Sequence, residues 1–248
     1  DFIATGPSYG IDWFTARLRS LQDVPGMPYA FWATDSLRAL YRQLPPLDVE
    51  QKDVVVSGRP TTKIADVRVG LQTSDDPRFL RYWWEVPRDS VGQGKRWVPF
   101  VKGGKQVRFY TRVDLVVNWE SDGAEIRDSG RAVIRNPSYY FRPGVTWPPA
   151  SWRMRRFGSF SNEHIFGHKG CCIFPTSMKP QPLLGLLNSS LGTALMLIQT
   201  PERMWEVGRV AAIPIPVDRL SGSGLSERVE ETVRLARSAH IGDETCRD

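Results

Sequence analysis

An α+β fold, with a mixed and mostly antiparallel sheet system flanked by N-terminal helices and a C-terminal helix, is what the sequence predicts. Three observations predict it. Helical periodicity marks residues 11–44 and returns after 182, short β-type runs separated by turn signals occupy about 54–175, and no internal repeat or low-complexity tract interrupts the order. The 248 residues, 41% hydrophobic and 24% charged, lie far from the composition of disordered chains and are numerous enough to bury a core.

The elements follow in order. IDWFTARLRSLQ spaces Ile11, Phe14, Leu18 and Leu21 by three and four and predicts a first helix. After the Pro- and Gly-containing QDVPGMPYAFWAT, Leu37, Leu40, Tyr41 and Leu44 predict a second, with Asp35 or Ser36 as its cap and Pro45-Pro46 as its stop. VVVS, DVRVG, RYWWEV, RWVPFVKG, QVRFYT, LVVNW, AVIR and CCIF read as strands. If RYWWEV is one, Trp83 and Trp84 point to opposite faces and at least one is core. LLGLLNSSLGTALMLIQ is helical in pattern, VGRVAAIPIPV is not, and SGSG at 221–224 reads as flexible. SERVEETVRLARSA closes the chain as an amphipathic helix, with Ser226 at its start. The longest apolar run, 182–198, is broken by Asn188, Ser189 and Ser190, so no membrane partner and a soluble protein are expected.

Charge is segregated. The net balance is +6, but residues 78–112 alone hold nine basic side chains against two acidic ones, a local balance of +7. Residues 142–169 add five basic against one acidic, whereas 226–248 hold six acids and four bases. A basic β-rich region interleaved with Trp97, Phe109, Tyr110, Trp147 and Trp152 suits a polyanion, because neutralising phosphates releases counterions. An Arg-rich solvated surface explains the same residues. Three cysteines, Cys171, Cys172 and Cys246, build no disulfide framework and point to a reducing cytoplasm. The opening DFIATGPSYG has neither an initiator Met nor a signal-peptide pattern, so Asp1 reads as a boundary within a longer protein.

Catalytic motifs are incomplete. NPSYY at 136–140 resembles the Asn-Pro-Pro-Tyr loop that accepts a flipped amino base, yet no glycine-rich cofactor turn follows an apolar strand upstream of it. An Asn-Pro turn leading into an aromatic strand is the expected reading of these residues. His164, His168, Cys171 and Cys172 are zinc-compatible types, but adjacent cysteines in a strand face opposite ways, so no metal site is expected. No catalytic residue is assigned.

GLQTSDDPRFLRYWWEV (70–86), with YAFWAT, WVPFVKGG, VNWESDGAEI, RNPSYYFRPGVTW, IFGHKGCCIFP, LLGLLNSS and VGRVAAIPIP in sequence, resembles the C-terminal target-recognition region of PglX-type adenine-specific DNA methyltransferases. These occur in BREX and DISARM phage defence and are related to type IIG restriction-modification methyltransferases. The match runs over 29–216, and Ser74 and Asp76 stand where the family usually has Gly and Asn. The resemblance implies a DNA-specificity domain with no cofactor of its own, S-adenosylmethionine and the catalytic loop being held in a preceding domain of the same parent. It makes NPSYY a structural block. The expected division is an N-terminal helical segment (1–50) leading from the catalytic domain, a recognition body (51–220), and a C-terminal linker and helix (221–248). Partners would be double-stranded DNA, the catalytic domain and other defence proteins. Arg81, Lys95, Arg96, Lys102, Lys105, Arg108, Arg153, Arg155 and Arg156 are expected on phosphates, and Gln72, Thr73, Arg78, Arg142, Asn162 and Lys169 toward base edges. The competing readings are a reduced but competent methyltransferase using Asn136 and Tyr139, a nuclease, and a protein-interaction module working through the acidic last helix.

Overall fold

A computed structural model describes residues 2–4, 15–48, 55–56, 59–60, 63–103, 108–148, 156–200, 205–221 and 224–239. In chain order the strands are β1 (Phe2–Ala4), β2 (Thr15–Arg17), β3 (Val55–Val56), β4 (Arg59–Pro60), β5 (Ala65–Arg68), β6 (Leu80–Tyr82), β7 (Trp97–Val101), β8 (Phe109–Tyr110), β9 (Leu115–Asn118), β10 (Gly144–Thr146), β11 (Gly158–Phe160), β12 (Ile165–Phe166) and β13 (Cys172–Pro175). The helices are α1 (Leu18–Leu21), α2 (Asp35–Gln43), α3 (Asp76–Phe79), α4 (Glu120–Asp128), α5 (Pro180–Asn188), α6 (Ser190–Gln199), α7 (Val207–Ala211), α8 (Val217–Leu220) and α9 (Leu225–Ser238). The class is α+β, as predicted.

Two sheets and a set of helices stack in layers. One sheet has the order β5-β13-β10-β11-β8, antiparallel except for the β11–β8 pair; the other has the order β12-β7-β9-β6, antiparallel except for β12–β7. β13 lies inside the first sheet and is buried on both faces. Ile173 packs with Val67, Val145, Leu183, Met196 and Val210 on the helical side, while Cys172 and Phe174 pack with Val98, Phe100, Phe160 and Phe166 between the sheets. That is the period-two alternation of a strand covered from both sides. The helical core also takes in Val24, Tyr41 and Leu47 from before β5 and Val229 from α9.

Several elements differ from the sequence expectation, each for a local reason. The first predicted helix shrinks to α1, because Thr15–Arg17 pairs instead with Phe2–Ala4; residues 11–14 lie outside the described residues. Thr34, rather than Asp35 or Ser36, caps α2, its hydroxyl accepting from Leu37 N. RYWWEV leaves the strand at Tyr82 and coils into a 3-10 turn over Trp83–Glu85, so strand alternation does not apply; Trp84 is exposed and Trp83 half-buried. AVIR contributes only a bridge, Val133 with Gln72. Val207–Ala211 is a helix, and α9 begins at Leu225 with the left-handed Gly224 as its N-cap, not at Ser226. In NPSYY, Asn136 is left-handed (φ 51°) and Pro137–Tyr139 form a 3-10 turn; the next strand begins only at Gly144.

The apolar run at 183–199 is two helices bent by 73° at Ser189, and among the described residues no single helix is long and apolar enough to cross a membrane. Ser189 caps α6, its hydroxyl accepting from Gly192 N at 3.0 Å and donating to Leu186 O at 2.6 Å. Ser189→Ala is expected to lower stability by about 1 kcal/mol, which thermal unfolding will read as a melting temperature reduced by about 2–4 °C.

Candidate nucleic-acid interface

Three connections meet at one end of the four-stranded sheet. The chain leaving β5, the end of β7 and the end of β12 are laced together by Leu71 N to Phe166 O (2.9 Å), Gly167 N to Val101 O (2.8 Å) and His168 N to Leu71 O (2.9 Å). Such close backbone packing needs glycine. A Cβ at Gly70 would fall 1.9 Å from Phe166 O, and one at Gly170 would fall 2.4 Å from Val101 O. A fourth segment joins through the Gln72–Val133 bridge and through Asn136, whose amide Nδ2 donates to Val69 O at 2.9 Å. The Asn136 carboxamide is thus a fastening of the fold.

The side chains delivered there form a basic cluster around one acid. Lys102 pairs with Asp76, which also accepts from the Thr73 hydroxyl, and Arg135 Nη1 donates to Gln72 Oε1 at 3.2 Å. Burial pushes the Asp76 carboxyl up, but the bonds from Lys102 and Thr73 and the charge of Lys169 outweigh it and hold its pKa below the ordinary value. The Asp76–Lys102 pair is therefore intact at neutral pH and is lost only as pH falls below the usual carboxylate range. His168 lies in the same field: burial first, then Lys169 and Lys102, depress its pKa, opposed by Asp76. The ring is neutral at pH 7, and Lys102, Arg135 and Lys169 supply the positive charge. This arrangement is chemically suited to an anion or to acceptor-rich groups.

Of the sequence-predicted residues, Gln72, Thr73, Lys102 and Lys169 are brought together here, although Thr73 is buried and bonded to Asp76 rather than presented outward. Arg81 and Arg96 form a second group, with guanidinium carbons 5.9 and 5.6 Å from the Trp97 ring centre; Lys95 and Arg96 line a hollow with Gln93, Trp119 and Phe141. Arg78 is tied to Glu125 (2.8 Å), which also accepts from Asn118. Arg142 lies over Tyr139 at 5.0 Å. Arg108 and Arg156 precede the parallel strands β8 and β11, and Asn162 is exposed in the turn after β11. Lys105, Arg153 and Arg155 lie outside the described residues. Arg135, Asp76 and His168 were missed as site residues. The signal available for Arg135 was its place beside the NPSYY turn.

The zinc-compatible residues do not converge. Cys171 packs into the helical core and Cys172 between the sheets, while the His164 ring stands against Phe160. Burial pushes the Cys171 thiol up to about 11 and that of Cys172 well above its ordinary value, so both behave as packing groups.

No family model matches the sequence. Distant homology nevertheless relates the chain to adenine-specific methyltransferases. It is 25% identical to the adenine-specific methyltransferase BrxX of Escherichia coli O9:H4 (strain HS) over 222 residues, which are 87% of this chain and 17% of that protein. It is 23% identical to the adenine-specific methyltransferase PglX of Lacticaseibacillus casei (strain Zhang) over 219 residues, 82% of this chain and 17% of that one. The chain spans about one sixth of the length of the curated relatives it matches.

Proposed function

We propose that this chain is the DNA target-recognition part of an S-adenosylmethionine-dependent adenine-N6 DNA methyltransferase of a phage-defence or restriction-modification system. Residues 51–220 would form the recognition body, 1–50 the connection to the catalytic domain, and 221–248 the closing linker and helix. The observation that carries the reading is the convergence of Gln72, Lys102, Arg135, His168 and Lys169 from four chain segments onto one end of a sheet. The homology to one sixth of adenine-specific methyltransferases supports the same reading. In mechanism, Lys102 and Lys169 neutralise phosphates and set register, neighbouring polar groups meet base edges, and the duplex is held while a catalytic domain elsewhere in the parent flips one adenine. Cofactor chemistry belongs to that domain. The cytoplasm, where its DNA substrate lies, is the matching compartment.

Binding of labelled duplex to the purified chain tests this. Affinity is expected to fall linearly on a log-log plot against salt, with a slope of several units, one for about each phosphate neutralised. Salt-independent binding or none would sink the proposal in favour of a protein-interaction module. Calorimetry with S-adenosylmethionine addresses the enzyme alternative: no heat of binding is expected, and tight binding to this chain alone would make it a competent methyltransferase.

A further inference from the structure

We propose that Arg135, oriented by Gln72, reads a guanine in the target duplex; the inference rests on the DNA-recognition reading above. The backbone beneath Arg135 is fixed from both sides. Val133, two residues earlier, exchanges two backbone hydrogen bonds with Gln72 (3.0 and 2.8 Å); the buried Tyr140 hydroxyl donates to Arg135 O at 3.0 Å; and left-handed Asn136 is fastened to Val69. Above this base the Arg135 side chain is exposed. Its partner differs in kind from those of the neighbouring cations. Arg78, Arg96 and Lys102 each face a carboxylate, whereas Arg135 is held by the neutral amide of Gln72 and keeps its charge available.

The chemistry of the pair selects its ligand. A guanidinium only donates, so the Gln72 amide must turn its oxygen to Arg135 and leave its NH2 outward. What the pair presents is therefore a row of donors: the remaining guanidinium N–H groups and the Gln72 amide protons. The matching base edge carries acceptors alone, which in the major groove is guanine, with O6 and N7 side by side. Lys102 and Lys169, on the adjoining connections, are placed to hold the flanking backbone while the pair meets the base.

Selection of bound duplexes from a randomised pool by the 248-residue chain, followed by affinity measurements on the enriched sequence, tests the assignment. The wild-type chain is expected to enrich a guanine at a defined position. R135K keeps the charge but loses the planar fork, and is expected to lose that preference by about 5- to 150-fold while retaining the salt slope. Q72A should weaken the same position and no other. Thermal melting confirms that the variants are folded. If R135A and R135K weaken all sequences equally and R135A lowers the salt slope by about one, Arg135 is a phosphate contact and the assignment is wrong. Unchanged enrichment in all variants also overturns it while leaving DNA recognition standing; absence of duplex binding by the wild-type chain overturns both.

Discussion

Replacing Gly70 with alanine is expected to destabilise the protein by about 3 kcal/mol or more, a fall in melting temperature of roughly 6–12 °C for a chain of this size. The cause is not backbone conformation, since Gly70 does not occupy the left-handed region. It is proximity: the added carbon would stand 1.9 Å from Phe166 O, 2.5 Å from Phe166 C and 2.7 Å from the Phe166 ring. Relief requires the connection after β5 to move off β12, which breaks the bonds of Leu71 N to Phe166 O and His168 N to Leu71 O. Those bonds bring Gln72 and His168 to the cluster, so duplex binding should weaken together with stability. Gly208 supplies the control. It lies in α7 with nothing within 4 Å of an added carbon, and Gly208→Ala is expected to stabilise by about 0.5–1 kcal/mol. Melting curves giving the same sign for both substitutions would refute the close-packing account.

What the sequence made legible was whatever depends on local pattern. Leu37, Leu40 and Tyr41 in α2, and the alternation through Cys171, Cys172, Ile173 and Phe174, announced their faces because helix and strand periods are written in neighbouring residues. Thr15–Arg17 was read as helix because the strand that claims it is eleven residues away, and local propensity says nothing of that pairing. The site followed the same division. Lys102 and Lys169 stand in the basic stretches that charge density alone marks out. Arg135 does not, and its pairing with Gln72, 63 residues earlier, is written in no local pattern. Asp76 follows a second aspartate just ahead of the basic run and carries no periodic or charge signal of its own, although it is the group that Lys102 and Thr73 gather around. NPSYY was ambiguous for a related reason: the motif is short, and only the bond from Asn136 to Val69 shows the carboxamide already in use.

Reversing the charge of Lys102 and Lys169 together is expected to reduce duplex affinity on the order of 10²-fold near physiological salt and to flatten the log-log salt slope by about two units. The two side chains follow the ends of parallel strands β7 and β12, whose register sets Ile165 beside Phe100 and Phe166 beside Val101. Both side chains therefore leave the same end of the sheet, and in the DNA-recognition reading they meet the same stretch of backbone. Lys102→Glu also places a second carboxylate against Asp76, so loss of attraction is joined by repulsion within the loop. Part of any effect could then arise from disturbed structure, and Lys169→Glu alone separates the two, since Lys169 is exposed and affects Asp76 only through its charge. It should carry about half of the slope change with no change in melting temperature. Arg228→Glu on the exposed side of α9, which alters the net charge equally but away from the cluster, should leave the slope unchanged within error. If Arg228→Glu weakens binding as much as Lys169→Glu, affinity follows net charge rather than this face, and the DNA surface has been misplaced.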